Sequence, residues 1–571
     1  MFLYFSMDYS ILVKIYEDLE GTSKRLEKTK IISEFIKKNH SREIIYLLQG
    51  KVLANVGAGE LGINEQLVIK ALEVSYGISK DKIIKVWKKK GDLGLTAEEL
   101  GKIKFQKTLF SKTLTVTKVF DNLVKLSELS GSQTVNKKMQ LIAELLTSAE
   151  PLEARYIVRT LLGDLRIGIK EGVIRDAIVW AFFPGVFKKG EIDRGEYNNT
   201  FKEVQRAYNV CNDFYEVIEF KDSLKSIKLN LFNPLKAMLF QKSKNIEEGF
   251  KVVGKPAAID YKIDGFRVQV HKKNDSVKLF TRNFEDITRQ FPDVIKIIKN
   301  NIKGDNLILD CEIVGIKDGK WLPFQNISQR IRRKYNIEEM VKEVPVMLIP
   351  FDAMMIDDNL LNETFKERRK KLKLIVKEEK NKIELVKQIV TDDIGEAEKF
   401  YNKALKNGNE GIMMKNLESP YQPGSRVGYG VKVKPTMKDL DLVIVKAEYG
   451  KGKRSKWYTS FTLACKDGEG NYLEVGKMGT GIKEKSEGVT FEELTEELKK
   501  NILEEKGREI IVKPEIIVQV TYEEIQKSPN YRSGYALRFP RLIAIRKDKP
   551  LSELNSLKEI EKYYKQQRNR G

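Results

Sequence analysis

From Ile11 to about Phe220 the apolar residues recur at three- and four-residue spacing, as in Leu141-Ile-Ala-Glu-Leu-Leu-Thr and Ala154-Arg-Tyr-Ile-Val-Arg-Thr-Leu-Leu. That period lines them along one stripe of a helix, so the first two hundred-odd residues predict a helical domain with Gly-containing turns. Near residue 233 the texture changes. Phe232-Asn-Pro-Leu-Lys-Ala-Met-Leu breaks the helical period, and from about 256 short alternating segments predict strands, with helices at Asp358–Lys380 and Glu396–Asn407. A second seam follows Val431-Lys-Val-Lys-Pro435. Strands return at Leu442–Ala447, Thr459–Cys465 and Ile516–Tyr522, between Gly-rich basic turns such as Tyr449-Gly-Lys-Gly-Lys-Arg-Ser, and a helical tail is expected at Leu551–Gln567. The expectation is a multidomain α and α+β chain. It has an all-helical domain over 1–233, an α+β domain over 234–436 and a small β-barrel over 437–571.

Several predicted strands of the middle domain carry charges where a packed core would not choose them. In Ala258-Ile-Asp-Tyr-Lys-Ile-Asp the period of two puts Asp260, Lys262 and Asp264 on one face and Ile259, Tyr261 and Ile263 on the other. The same rule pairs Asp310 with Glu312 in Leu307-Ile-Leu-Asp-Cys-Glu-Ile-Val, and Lys432 with Lys434. A single such strand is most simply half-exposed, with a solvated face. Lysines on two of them and acids on two suggest instead a polyphosphate and metal site, because phosphoryl chemistry needs cations at the transferring group and carboxylates for Mg²⁺. There is no Gly-x-x-x-x-Gly-Lys-Ser/Thr loop, so side chains would have to hold the phosphates.

Composition narrows the chemistry. With two His and three Cys in 571 residues, a His-rich metal site and a four-Cys zinc module are excluded, and metals must be bound mainly through oxygen. Three Cys far apart give no disulfide framework and suit a reducing compartment. The 103 Lys and Arg exceed the 81 Asp and Glu by 22. This surplus is spread along the chain, as expected if several domains touch a phosphate backbone, although a generally Lys-rich proteome would give the same total. No apolar run is long enough to span a bilayer, and the first residues lack a basic leader, so a cytoplasmic protein is expected.

Lys262-Ile-Asp-Gly265 resembles the Lys-x-Asp-Gly nucleophile motif of covalent nucleotidyltransferases, the superfamily of DNA ligases, RNA ligases and capping enzymes. Further segments follow in that superfamily's order: Thr281-Arg-Asn-Phe-Glu-Asp-Ile-Thr288, Leu309-Asp-Cys-Glu-Ile-Val314, Pro350-Phe-Asp-Ala-Met354, Glu410-Gly-Ile-Met-Met-Lys415, Val431-Lys-Val-Lys-Pro435 and Leu537-Arg-Phe-Pro-Arg541 with Arg546-Lys-Asp-Lys549. The closer likeness is to archaeal and eukaryotic-type ATP-dependent DNA ligases and covers nearly the whole chain. Arg155-Tyr-Ile-Val-Arg-Thr-Leu-Leu-Gly-Asp-Leu-Arg-Ile-Gly168 resembles the signature of their helical DNA-binding domain.

The resemblance implies an all-helical DNA-binding domain, an α+β adenylation domain and a C-terminal OB-fold. It implies sealing of 5′-phosphate/3′-hydroxyl nicks in duplex DNA, with ATP as adenylyl donor and Mg²⁺, in replication, repair and recombination. Lys262 would be the nucleophile, and neighbouring cations would favour its reactive neutral form. Asp260 would meet adenine, Phe351 would stack on it, and Glu312 would contact ribose and also serve as a metal ligand with Glu410. Arg267, Arg282, Arg426, Lys432 and Lys434 would bind ribose and phosphates; Arg538, Arg541 and Lys549 would close over ATP from the OB-fold. Lys415 would serve the fold or the DNA backbone.

The family usually has Glu where this chain has Asp260, and tends to carry Arg where it has Ala544. Gln106, Leu109 and Phe110, within Gln106-Lys-Thr-Leu-Phe110, resemble a shortened sliding-clamp-binding motif. A monomer is expected. An RNA ligase or capping-type enzyme is the alternative, which the helical-domain signature disfavours, and a non-catalytic DNA-binding protein is the remote one.

Overall fold

The structure, a computed structural model, describes residues 7–567 except 54–55, 58–60, 104–112, 130–133, 189, 318, 323, 332, 334–335, 425–427, 436, 451–453, 455, 485–487 and 507. Gln106, Leu109, Phe110 and Arg426 lie outside the described residues.

The N-terminal part is helical, as its period predicts. In Val116–Glu128 the residues Val116, Val119, Phe120, Leu123 and Leu126 form one buried stripe, and Thr115 caps the helix by accepting from the Lys118 amide. Pro151–Leu161 starts with Pro at its first position, where no backbone donor is needed, and the Glu153 carboxylate reaches back to the Glu150 amide at 2.9 Å. Two short ribbons interrupt the helices: β1 (Lys51–Leu53) with β2 (Val56–Gly57), and β3 (Phe187–Lys188) with β4 (Glu191–Ile192). Pro151–Leu161 carries two arginines of the signature stretch. Arg155 pairs with Glu20 at 2.9 Å, and Arg159, 4% exposed, pairs with Glu20 at 2.7 Å and Asp92 at 3.3 Å. These guanidinium groups hold helices together.

By contact the chain divides into two compact units, Met1–Leu239 with Gly265–Val386 and Glu418–Val427, and Phe240–Asp264 with Lys387–Leu417 and Gly428–Gly571. The first contains, besides the helices, a six-stranded antiparallel sheet in the order β12-β11-β9-β7-β8, with β10 beside β9. Its strands are β7 (Phe266–Lys273), β8 (Ser276–Thr281), β9 (Asn306–Lys317), β10 (Lys320–Leu322), β11 (Val346–Ile356) and β12 (Asp358–Asn359). Val268, Val270, Leu309, Cys311, Ile313 and Leu348 on its inner face pack against helices Pro292–Asn301 and Phe365–Ile375. The segment entering the sheet is docked on β7: the Phe232 amide donates to His271 Nδ1 at 3.1 Å, and Gln269 exchanges both amide bonds with Leu235.

The second unit holds a five-stranded sheet in the order β13-β6-β14-β15-β5, from β5 (Gln241–Ser243), β6 (Ala257–Lys262), β13 (Gln388–Thr391), β14 (Gly411–Asn416) and β15 (Gly430–Val433). Its C-terminal part is β-rich. The strands β16 (Leu440–Tyr449), β17 (Tyr458–Lys466), β18 (Tyr472–Met478), β19 (Ile502–Lys506), β20 (Glu509–Val512), β21 (Ile517–Thr521) and β24 (Arg541–Ile545) form one antiparallel sheet, and β22 (Glu524–Lys527) pairs with β23 (Tyr535–Arg538). Leu442, Phe461, Leu463, Val518, Leu537 and Ile560 belong to a large core in this part, and Val443, Ala464, Ile517 and Leu554 form a smaller cluster.

The expected helix Glu396–Asn407 spans Ile394–Lys406, and larger differences occur at two other helices. Asp358–Lys380 is not one helix: Asp358 and Asn359 fold back onto Ile356 and Met355, and the helix begins at Phe365, capped by Thr364. The tail helix spans Leu557–Gln566, set by a Ser556/Glu559 capping box, and Leu551–Glu553 is a separate turn. Cys211, Cys311 and Cys465 are free and buried. Among the described residues no helix is long and apolar enough to cross a membrane.

Candidate active site

The five-stranded sheet gathers the predicted lysines. In its register Lys262 on β6 lies opposite Gly411, Asp260 opposite Met413, and Met413 opposite Lys432 on β15. Alternation then puts Asp260, Lys262, Met413, Lys415 and Lys432 on one face. Ile259, Ile412, Met414 and Val431 are buried on the other. Glu410, just before β14, donates its amide to the Lys262 carbonyl at 2.8 Å, which fixes where its side chain can reach. Its Oε2 sits 2.8 Å from Lys262 Nζ and 2.5 Å from Lys434 Nζ. All three side chains are 10–20% exposed, so the pairing works in a poorly hydrated place. Lys434 also lies 3.6 Å from Glu523. Burial, then repulsion from Lys434 and Lys262, pulls Lys432 below the ordinary lysine range.

A backbone without a side chain makes this spacing possible. Gly411 has φ of +140°, and a Cβ there would come within 2.1 Å of the Val433 carbonyl oxygen, just before Lys434. Glycine alone lets β15 approach this closely.

Deeper along the same face Asp260 is 2% exposed, not solvated. Its carboxylate meets Lys415 Nζ at 2.6 Å and accepts from Gln388 Nε2 at 2.7 Å. Lys415 thus serves the fold of this sheet. Gln388 carried no signal in the sequence.

In the first unit Arg267, Glu312 and Phe351 stand on β7, β9 and β11, with Arg267 opposite Glu312 in the ladder. Gly265 explains the glycine of the nucleophile motif: a Cβ there would lie 2.6 Å from Glu312 Cγ and 2.7 Å from the Ile313 carbonyl oxygen. Asp310, read from sequence as part of a metal-binding face, is fully buried and grips Arg267 with both oxygens, Nε to Oδ1 at 2.8 Å and Nη2 to Oδ2 at 2.5 Å. Arg267 Nη1 donates to the Met238 carbonyl at 3.0 Å, and its guanidinium carbon lies 5.5 Å from the centre of the Phe351 ring. Burial alone would lower its affinity for the proton; Asp310 outweighs burial and raises it. Arg282 is exposed in the turn after β8.

In the C-terminal part Arg538 pairs with the buried Glu524 at 3.4 Å, and Lys549 and Arg546 share Asp441 at 2.7 and 3.3 Å. Arg541 is exposed at the start of β24, beside Phe539, which is 67% exposed with φ of +50°. Ala544 lies opposite Gln519. Among the described residues no three His, Cys, Asp or Glu side chains gather as a metal-binding group.

Three family models match consecutive stretches of the chain: "DNA ligase N terminus" over residues 8–179, "ATP dependent DNA ligase domain" over 237–434 and "ATP dependent DNA ligase C terminal region" over 454–549. The DNA ligase of Nanoarchaeum equitans is 45% identical over 576 residues, covering 98% of this chain and 99% of that protein. That of Thermococcus onnurineus is 40% identical over 569 residues, covering 98% of each. A solved structure titled "Pmar-Lig_PreS3" shares the fold with a TM-score of 0.56 at 18% identity, over 94% of this chain and 99% of that one. Identity at this level, sustained from end to end, decides the family: the chain belongs to the ATP-dependent DNA ligases.

Proposed function

We propose that the chain seals nicks in duplex DNA in three steps, with Lys262 as nucleophile. The Lys262 amine attacks the α-phosphate of ATP and pyrophosphate leaves. The AMP passes to the 5′-phosphate of the nick, and the 3′-hydroxyl attacks that phosphate and releases AMP. The observation that carries this reading is the set of Lys262, Glu410 and Lys434 about one carboxylate oxygen, with Lys432 on the same face. Before the phosphates arrive, Glu410 holds Lys262 in place and balances the lysines. It is also within reach of the proton that Lys262 must lose. Lys432 and Lys434 then neutralise the phosphates, and their partly buried surroundings make each charge count for more than it would in water.

Mg²⁺ takes one or two carboxylates together with substrate phosphate oxygens, and Glu410, an oxygen donor beside the phosphate lysines, fits that pattern. When bound, the ion would add positive charge to the transferring phosphate. Glu312 takes the ribose, or a metal in its place, and Phe351 stacks on adenine. Asp260, committed to Lys415 and Gln388, offers adenine less than a free carboxylate would. Arg282, Arg426, Arg538, Arg541 and Lys549 supply positive charge to ATP and pyrophosphate. Residues 1–233 bind DNA, 234–436 form the adenylation domain and 437–571 the OB-fold. The enzyme acts as a cytoplasmic monomer, and Gln106, Leu109 and Phe110 are candidate contacts to a sliding clamp.

Incubation with α-labelled ATP and Mg²⁺ leaves label on the wild-type protein, and Lys262→Ala removes it. Label retained by that variant would sink the assignment. Running ATP, GTP and NAD⁺ side by side, then nicked DNA against nicked RNA, tests donor and substrate.

A further inference from the structure

Tyr421 belongs to none of the motifs, yet it is buried where two arginine–aspartate pairs meet. Its hydroxyl donates to Asp310 Oδ2 at 2.9 Å, accepts from the Met238 amide at 3.1 Å and lies 3.4 Å from Arg267 Nη2. Burial, the main cause, keeps the phenol protonated and therefore a donor. The second pair is Arg368 with Asp352, the residue after Phe351. Both are buried, with Nε to Oδ1 at 2.8 Å and Nη2 to Oδ2 at 3.1 Å. Arg368 also donates to the Ser419 carbonyl at 3.0 Å, and its guanidinium carbon lies 5.7 Å from the centre of the Tyr421 ring. Phe351 is thus braced twice, by Arg267 against its ring and by Asp352 next to it in the chain, and Tyr421 touches both braces.

Arg267 itself has little left for phosphate. Asp310, Tyr421 and the Met238 carbonyl take up four of its five N–H groups. A guanidinium held in this way acts on a nucleotide chiefly through what it supports.

We propose that Tyr421 is a positioning residue for the nucleoside half of ATP: through Arg267–Asp310 and Arg368–Asp352 it fixes the plane of the Phe351 ring. This rests on reading Phe351 as the adenine platform. The phosphate half of ATP, held by lysines elsewhere, should be indifferent to Tyr421.

The test is inhibition of self-adenylation of the full-length protein by two probes, adenosine for the nucleoside half and tripolyphosphate for the phosphate half. Tyr421→Phe removes one hydroxyl, takes its acceptor from the buried Met238 amide and leaves Asp310 with Arg267 alone. It is expected to weaken inhibition by adenosine about tenfold and to raise KM for ATP similarly. Inhibition by tripolyphosphate and the rate at saturating ATP should change less than about twofold by the same reasoning. Equal weakening of both probes would mean general loosening and would overturn the proposal, as would no change in either. Should Tyr421→Phe fold poorly, Asp310→Asn keeps the shape, removes the charge that fixes Arg267 and must give the same split. Phe351→Ala separates the two levels. If adenosine inhibition survives it, the platform reading fails. If Phe351→Ala abolishes that inhibition and Tyr421→Phe does not weaken it, only the role of Tyr421 fails.

Discussion

Lys415 and Asp260 form an ion pair of 2.6 Å that is all but sealed from water, at 6% and 2% side-chain exposure, on the sheet face that carries Lys262. Removing one member of such a pair strands the other charge. Lys415→Met should therefore cost about 3–5 kcal/mol, and adding Asp260→Asn to it should recover a large part. Denaturant unfolding of the two variants measures this. Asp260→Glu, the residue common in the family, adds a methylene between two tight contacts and should cost about 1–3 kcal/mol. An unchanged midpoint would show that the sheet has room for it.

Glu410 serves two lysines through one oxygen. Glu410→Gln keeps the shape and removes the charge, so Lys262 and Lys434 repel each other without compensation. Single-turnover adenylation should fall on the order of 100-fold, as when one preorganised charge is lost from an active site. A rate within threefold of wild type would remove Glu410 from the chemistry.

His271 is fully buried, accepts from the Phe232 amide, and is held neutral by burial, with its pKa lowered to about 3. Unfolding restores a value near 6.5, so below that pH the unfolded chain takes up a proton that the folded one refuses. The contribution is complete above about pH 6.5 and is lost at up to ~1.4 kcal/mol per unit as pH falls toward 3. His271→Gln should flatten this part of the acid limb relative to wild type. Parallel curves for the two proteins between pH 6 and pH 4 would contradict it.

Nick binding and self-adenylation should separate in salt. Raising salt from 50 to 200 mM should weaken nicked-duplex binding on the order of 10³-fold if six or more phosphates are neutralised, because counterion release drives the contact. Adenylation needs no DNA and runs in a partly buried site, so it should weaken far less. Equal losses would mean that the basic surplus does not serve the duplex.

How much of this was legible in the sequence depended on whether a residue's role is local. The buried stripe of Val116–Glu128 follows from period alone, and so do the alternating strands that carry Lys262 and Lys432. The ends of the helix at Phe365 did not, because residues 358–359 pair with β11 through a turn that no periodicity announces.

Alternation marks the charged faces as unusual, but it does not say which of their carboxylates are buried partners. Asp310 and Asp260 looked like site-facing or solvated carboxylates and are buried partners of Arg267 and Lys415. Gln388 and Tyr421 were invisible for a related reason. Their partners lie 128 and 111 residues away, and only folding brings them together.

Gly411 has a consequence for anyone who mutates or evolves this chain. Every charged group proposed for the chemistry can be present while catalysis is lost, because the separation of Lys434 from Lys262 depends on an atom that is missing. Any side chain at position 411 must push β15 away, and the φ of +140° penalises it further. Gly411→Ala would therefore give a protein with its full complement of reactive groups and a disabled active site. Mutational scanning should rank position 411 beside Lys262 in intolerance, even though glycine contributes no reactive group.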